Sequence, residues 1–307
     1  MTRYLIKRLA GVIVLAFGIS VVVFLIIRLV PGNPAISILG TNASNPALVA
    51  RLTNQLGLNQ PITTQYVKWI GGVLTGNFGY SYDQQLPVST LIGDNLGPTL
   101  ELTLFGLVLT VVFGLALGVA AAIKRNSVFD TVSMSTALTF LSLPSFWLGL
   151  VLLVIFAVNL HWFAVVGGTG FKGLVLPAVT LALGGIGFTA RFVRSSVIEA
   201  LRQQHVVTSR AKGLSRSAVL VKHVVRNSLL PVLTIVGLQT GNLLSGAVII
   251  ETVFSRPGLG RLLVTAILSK DYETVQAAVL IIALMYALVN FVVDLLYPVL
   301  DPRVAYR

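Results

Sequence analysis

The chain has 307 residues, of which 55% are hydrophobic and only 10% are charged, whereas a soluble domain carries about 25% charged residues. Its mean hydropathy of +0.90 excludes a water-covered globule of this size and indicates a chain folded in a lipid bilayer. No cysteine is present, which excludes disulfides and thiolate metal sites. The net charge is +12. In a membrane protein, the positions of the basic residues along the chain are more informative than this sum.

Six long apolar stretches run through the chain. About 20 residues of helix cross the hydrocarbon core of a membrane, and the stretches that meet this length are 9–27, 102–123, 131–160, 173–190, 227–250 and 274–293. Alternating strand-like segments are absent, so we predict an all-α integral membrane protein with six transmembrane helices. The first stretch is longer than the apolar region of a signal peptide and no small-residue cleavage site follows it, so we expect it to be retained.

The basic residues predict the orientation of these helices. With the N-terminus inside the cell, 15 of the 22 Lys and Arg residues lie in the cytoplasmic segments. Eight of them fall in the single segment 191–226, whereas the outer loop of about 70 residues carries only Arg51 and Lys68 in its interior. Because basic residues accumulate on the cytoplasmic side, we expect both termini to be cytoplasmic.

The first outer segment, 31–94, is too long for a simple connection. It contains two amphipathic stretches, 46–56 and 63–74, which are separated by Gly57 and Pro61. We therefore expect short helices on the outer surface.

The basic segment 191–226 is predicted to form two helices around a turn. Apolar residues recur at helical spacing on both sides of Gly213, which favours a left-handed turn there. Ser215 is a candidate N-cap for the second helix. The segment has three interpretations: a basic loop that contacts lipid headgroups, a DNA-binding helix-turn-helix, and a docking element for a cytoplasmic partner. The DNA-binding interpretation is disfavoured because the segment is tethered between two spans.

Motifs along most of the chain resemble one family, the oligopeptide and dipeptide branch of the permeases of ABC importers. The motifs that carry the resemblance are Pro31-Gly-Asn-Pro34, Leu56-Gly-Leu-Asn-Gln-Pro61, Gly76-Asn-Phe-Gly-Tyr-Ser81, Pro98-Thr-Leu-Glu101, Pro144-Ser-Phe-Trp147, the run Thr208–Ser215 with His223 and Leu230-Pro231, Glu251-Thr-Val-Phe254, Pro257-Gly-Leu-Gly260, Asp294-Leu-Leu-Tyr297 and Asp301-Pro-Arg303. Their order and spacing along the chain match the family.

The resemblance implies a type I ABC importer permease in the bacterial cytoplasmic (inner) membrane. It implies that the basic loop forms a short coupling helix that docks in a cleft of an ATPase subunit. The residues it assigns to coupling are His205, Thr208, Ser209, Arg210, Ala211, Lys212, Gly213, Leu214 and Ser215. The partners it implies are a second homologous permease, two cytoplasmic ATPases and an extracytoplasmic substrate-binding protein.

The sequence lacks the residues that other energy sources would require. A P-loop needs a Gly-Lys pair, and none occurs in this chain. We therefore expect no cofactor on this chain, with ATP and Mg²⁺ bound by the partner subunits, and no enzymatic activity of its own. The main alternative of another class is an ion-coupled carrier, which places Asp, Glu or His near the membrane midplane. Glu101 and Asp294 instead fall near the ends of their spans, and the three histidines lie in loops without metal-ligand spacing.

Uncharged polar residues mark a candidate translocation path. In the fifth span, Gln239, Asn242 and Ser245 combine with small residues that allow close helix packing. In the third span, Ser142 precedes Pro144, which is expected to kink the helix, and we interpret this kink as a gate. This lining suits a substrate that is recognised through its backbone.

The predicted organisation has four parts. They are an N-terminal transmembrane helix (1–30), an extracytoplasmic region (31–94), a five-helix transmembrane domain (95–298) with its coupling loop at about 198–228, and a cytoplasmic tail (299–307). The predicted function is import of dipeptides or oligopeptides. A nickel or glutathione importer of the same family is the alternative.

Overall fold

A computed structural model of the chain describes residues 2–29, 34–168, 170–220 and 226–300. The motif positions 31–33, His223 and the tail 301–307 lie outside these residues, as do the side chains of His205 and Arg210.

The described residues are mostly helical. In chain order the helices are α1 (Thr2–Leu29), α2 (Pro34–Leu39), α3 (Pro46–Gln55), α4 (Ile62–Leu74), α5 (Val88–Ile123), α6 (Val128–Ser142), α7 (Ser145–Leu152), α8 (Gly170–Ala200), α9 (Gln204–Ala211), α10 (Arg216–Val219), α11 (Arg226–Val253), α12 (Leu259–Ser269) and α13 (Tyr272–Leu300). A 3₁₀ turn (Gly40–Ser44) follows α2, and a π-helical segment (Leu153–Asn159) follows α7. Strands β1 (Tyr80–Ser81) and β2 (Leu86–Pro87) form a short antiparallel hairpin.

Several helices are long and apolar enough to cross a membrane. Among the described residues these are Arg8–Ile26 within α1, the whole of α5, the whole of α8, and Tyr272–Leu295 within α13. A fifth is formed by α6 and the helical segment after it, if that bent pair counts as one span. The chain is therefore a multi-pass membrane protein.

The third predicted span is broken rather than merely kinked. The helix before Pro144 and the helix after it meet at an angle of 107°. Leu143 is extended, with φ −82° and ψ 136°, because proline disfavours the helical conformation for the residue that precedes it. Pro144 also has no N–H to continue the helical hydrogen bonds, so one predicted helix becomes two.

The chain divides into two compact units. The first contains the described parts of Met1–Arg8, Leu100–Arg256 and Val289–Arg307, and the second contains those of Leu9–Thr99 and Pro257–Leu288.

In the first unit, α8 is the central helix and α5 packs along it through glycines. A Cβ atom added to Gly114 would stand 2.7 Å from the Thr189 side chain, and one added to Gly118 would stand 2.6 Å from the Ala190 carbonyl oxygen. Only glycine permits so close an approach of two helices. The residue numbers at these contacts increase in the same direction along both helices, so α5 and α8 run parallel.

Two antiparallel neighbours cover other faces of α8. A Cβ atom on Gly187 would lie 2.4 Å from the Ala137 carbonyl oxygen of α6, and one on Gly246 of α11 would lie 2.8 Å from Leu181. These close contacts bury much of α8.

Two clusters of buried residues form the core of this unit. The larger one comprises Leu102, Leu174, Leu176, Ala178, Leu181, Leu243, Ala247, Ile250 and Phe254. The smaller one, called here the loop-end cluster, comprises Ala122, Val193, Val197, Ala200, Val206 and Val219. The second cluster joins the ends of α5 and α8 to α9 and α10.

In the second unit, aromatic residues attach α4 to α1. The ring of Phe24 lies 5.3 Å from the ring of Tyr66 and 5.7 Å from that of Trp69. The hydroxyls of Ser20 and Tyr66 are 2.8 Å apart. Such contacts combine apolar burial with a satisfied polar group.

The outer segment partly matches its prediction. The two expected amphipathic helices are present as α3 and α4. The hairpin and α12 were not foreseen. The Ser81 hydroxyl donates to Asp271 at 2.5 Å, and Asp271 in turn accepts from the Thr274 hydroxyl at 2.7 Å, which ties the hairpin to the start of α13.

Candidate coupling loop and translocation path

The predicted coupling loop leaves α8 through a tight, hydrogen-bonded turn. The amide of Arg202 donates to the carbonyl of Glu199, and that of Val206 donates to Gln203, each at 3.0 Å. The turn leads directly into α9. Val206 of α9 is completely buried in the loop-end cluster, so α9 is attached to the bundle through an apolar contact.

Gly213 ends α9 in the left-handed conformation, with φ +81°. The preceding amide of Lys212 still makes a helical bond to Thr208 at 3.1 Å. Side chains with a Cβ atom rarely adopt such a φ. The turn predicted at Gly213 is therefore confirmed.

Ser215 starts α10. Its hydroxyl oxygen accepts a hydrogen bond from the amide of Ala218 at 3.3 Å, and the amide of Val219 donates to the Ser215 carbonyl at 3.0 Å. This is the geometry of an N-cap, so the expected cap and the helix–turn–helix arrangement are both confirmed.

The turn between the two helices is exposed, whereas its flanks are held inside. Residues 211–215, called here the exposed turn, are all open to solvent. Leu214 leaves 44% of its surface exposed. Thr208 is exposed and Ser209 is half-buried.

The candidate path residues of α11 divide between two faces. Gln239 is buried, and its amide nitrogen donates to the Gly185 carbonyl of α8 at 3.1 Å. Asn242 donates to the Gln239 side-chain oxygen, also at 3.1 Å. Gln239 therefore joins α11 to α8 and holds the amide of Asn242.

Asn242 and Ser245 lie on the exposed face of α11. Leu238 and Ile249 continue the same stripe, since residues three and four apart share one face of a helix. This face mixes apolar residues with two uncharged polar ones.

Ser142 and Pro144 are exposed at the break between α6 and α7. The Ser142 hydroxyl donates to the carbonyl of Leu138 at 2.9 Å. A serine inside a helix commonly donates its hydroxyl to the carbonyl of the residue four positions earlier in the chain.

Three ion pairs in the first unit were not identified from the sequence. Arg194 of α8 binds Asp130 of α6 through two hydrogen bonds of 2.6 and 2.7 Å. At the other end of α8, Arg256 binds Glu101 at 2.5 Å and donates to the Gly173 carbonyl at 3.3 Å. The partners are 64 and 155 residues apart along the chain, so no local sequence pattern predicts these ion pairs.

A third ion pair links the first helix to the last. Arg8 lies 2.7 Å from Asp294. This pairing with an arginine fits Asp294 as a packing carboxylate rather than a proton relay.

Comparison with known proteins identifies the class. The chain belongs to the family of binding-protein-dependent transport system inner membrane components, whose profile matches residues 114–306. The corresponding N-terminal family matches residues 1–103.

Individual relatives match over their whole length. The chain is 42% identical to the glutathione transport system permease protein GsiC of Salmonella typhi, and 40% identical to that of Escherichia coli strain K12. In both cases the similarity covers 100% of each chain. Among solved structures, the inward-facing MetNI methionine ABC transporter matches with a TM-score of 0.60 and 18% identity, covering 69% of this chain and 96% of that one.

This chain is therefore the membrane permease subunit of an ABC importer in the bacterial inner membrane. The fold is that of an ABC transporter permease. The family works with an ATPase and a substrate-binding protein, so the energy is supplied by another subunit and the chain itself is not an enzyme. The alternative of an ion-coupled carrier is set aside by the same finding.

Proposed function

We propose that this chain is one of two permeases in an importer of short peptides, and that glutathione is within its substrate range. The observation that carries the proposal is the 42% identity, over full length, to permeases named for glutathione transport. Glutathione is a tripeptide, so this choice unites the peptide prediction with its glutathione alternative. The uncharged polar face of α11 supports recognition of a peptide through its backbone.

We further propose six transmembrane spans. The sixth is α11, whose 28 residues extend for about 42 Å. The contacts of the first unit support alternating spans, because α8 runs parallel to α5 and antiparallel to α6 and α11. The Arg8–Asp294 pair joins the start of α1 to the last turns of α13, which supports both termini lying on one side of the membrane. The concentration of basic residues around 191–226 supports a cytoplasmic location for that side.

The exposed turn is proposed as the contact with the ATPase. Its support is threefold: it lies on the basic side, it exposes Leu214, and its flanking helices are anchored by Val206 and Val219. Because the turn is exposed and its flanking helices are anchored in the loop-end cluster, a displacement of the turn by the ATPase is transmitted to the helix bundle. ATP and Mg²⁺ are bound by the ATPase subunits in this proposal, and this chain binds no cofactor.

The path is proposed to run along the face of α11 that carries Asn242 and Ser245, past the break at Pro144. Its other wall is supplied by a second, homologous permease. In this proposal the buried Gln239 packs α11 against α8 behind that face and does not line the path. The outer segment with α3 and α4 is proposed to meet the loaded substrate-binding protein.

Uptake by the purified complex tests the proposed assignment of the substrate. Proteoliposomes that contain this chain with its co-purifying subunits and binding protein are given radiolabelled glutathione, a dipeptide or ⁶³Ni²⁺, with ATP inside or outside. ATP-dependent uptake of glutathione is expected, with competition by short peptides. Uptake of nickel alone would overturn the peptide assignment. Among the described residues no group of three or more His, Asp or Glu could hold a metal ion.

A further inference from the structure

The break at Pro144 and the exposed turn lie on different segments, so a motion at one reaches the other only through packed contacts. The route begins with α9. Val206 is fully buried in the loop-end cluster, to which Val193 and Val197 of α8 also belong. A displacement of α9 therefore displaces the end of α8.

The next link is the ion pair between α8 and α6. Arg194 immediately follows Val193, so the turn of α8 that holds the cluster also holds the ion pair. The Asp130 side chain is only 5% exposed and that of Arg194 is 25% exposed. A bidentate, largely buried arginine–carboxylate pair fixes both distance and angle between the two helices.

Asp130 also organises the start of α6. Its second oxygen accepts the amide of Asn126 at 3.0 Å, while its own amide donates to the Ser127 hydroxyl, the N-cap of α6, at 3.3 Å. Arg194 therefore holds both the α5–α6 turn and the first turn of α6.

We propose that the Asp130–Arg194 pair is the positioning link that makes α6 follow the coupling helix, and so carries the ATPase motion to the break at Pro144. Two turns beyond the pair, the backbones of α6 and α8 touch at Ala137 and Gly187, so α6 moves as a rod on α8. Its far end is the broken segment at Leu143–Pro144. The inference rests on the proposed role of the exposed turn as the ATPase contact.

Substitutions at the pair test this link in the complete transporter. Asp130→Asn keeps the size of the side chain and removes its charge, and Arg194→Gln removes the guanidinium group. Both are expected to lower glutathione uptake per ATP hydrolysed by about tenfold, within the usual range of coupling between sites, while the assembled complex still hydrolyses ATP. The exchanged pair Asp130→Arg with Arg194→Asp is expected to recover most of the coupling.

The matched control is Ser127→Ala. It removes the N-cap of the same helix and leaves the ion pair in place, so it reports the effect of weakening α6 alone. Uptake per ATP close to that of the wild type is expected. A loss in Ser127→Ala equal to that in Asp130→Asn would show that the pair acts only through helix stability, and would overturn the proposal.

A distance measurement separates the link from the choice of substrate. The chain has no cysteine, so spin labels at the exposed Val132 of α6 and Gln204 of α9 are introduced without other changes. Their separation is expected to be the same in the nucleotide-free and ATP–vanadate-trapped complexes of the wild type, and to differ between these states in Asp130→Asn. Equal distances in both states of Asp130→Asn would overturn the link. If the wild type does not transport glutathione, the substrate proposal fails and this measurement still decides the link.

Discussion

Gly187 and Ala137 mark a point where α8 and α6 touch through their backbones. A Cβ atom on Gly187 would stand 2.4 Å from the Ala137 carbonyl oxygen and 3.1 Å from its carbon. Neither atom belongs to a flexible side chain, so the helices themselves would have to separate.

Gly187→Ala is therefore expected to destabilise the protein by about 1–3 kcal/mol, the usual effect of overpacking. Gly184→Ala is the control on the same helix, since its added Cβ would meet only the Phe140 carbonyl oxygen at 3.9 Å. Thermal inactivation of the detergent-solubilised complex measures both. Equal midpoints for the two variants would contradict the close packing of α6 on α8.

Gly213 provides a test of the coupling turn. Its φ of +81° costs a residue with a Cβ atom roughly 1–2 kcal/mol. Gly213→Val is expected to uncouple ATP hydrolysis from uptake while the helices remain inserted. Gly213→Asn is the control, because asparagine tolerates the left-handed conformation, and it should retain most of the uptake. Normal coupling in the valine variant would contradict the assigned role of the turn.

Leu214 provides a separate test of the ATPase contact. Burying a leucine side chain stabilises an interface by about 1.5–3 kcal/mol, so Leu214→Asp is expected to weaken ATPase binding by at least about tenfold. Leu214→Met, which preserves apolar volume, should bind normally. Titration of the purified ATPase onto nanodiscs that contain the permeases measures the difference. Undiminished binding to the aspartate variant would place the contact elsewhere.

Gln239 and Asn242 are expected to respond in opposite ways. Gln239→Leu removes the bond to Gly185 and the acceptor for Asn242, which is expected to cost about 1–3 kcal/mol of stability with uptake per folded complex preserved. Asn242→Leu, on the exposed face, should keep the stability and reduce glutathione uptake. Thermal inactivation and uptake are measured on both variants. The reverse pattern would assign Gln239 to the path and Asn242 to packing.

The sequence predicted well those features that depend on residues close together in the chain. The left-handed turn at Gly213, the cap at Ser215, the helices α3 and α4, and a distortion at Pro144 each follow from residues close together in the chain. Five of the six apolar stretches likewise coincide with helices long and apolar enough to cross a membrane, counting the bent pair at Pro144 as one span, because the length of such stretches is set by the bilayer.

What the sequence did not predict depends on distant residues or on which face is buried. The Asp130–Arg194 and Glu101–Arg256 pairs join separate helices. Gln239 has the same uncharged polar character as Asn242, and only the packing of α8 against α11 shows that one is buried and the other exposed. Pro144 predicted a kink but not the 107° angle between the two helices, because a single proline does not specify how far the following helix turns.

ATP hydrolysis by the reconstituted complex, with and without glutathione-loaded binding protein, tests the central claim most directly. We predict that the loaded binding protein stimulates hydrolysis and that uptake stops when ATP is withheld. Uptake that continues without ATP and follows a proton gradient would contradict it.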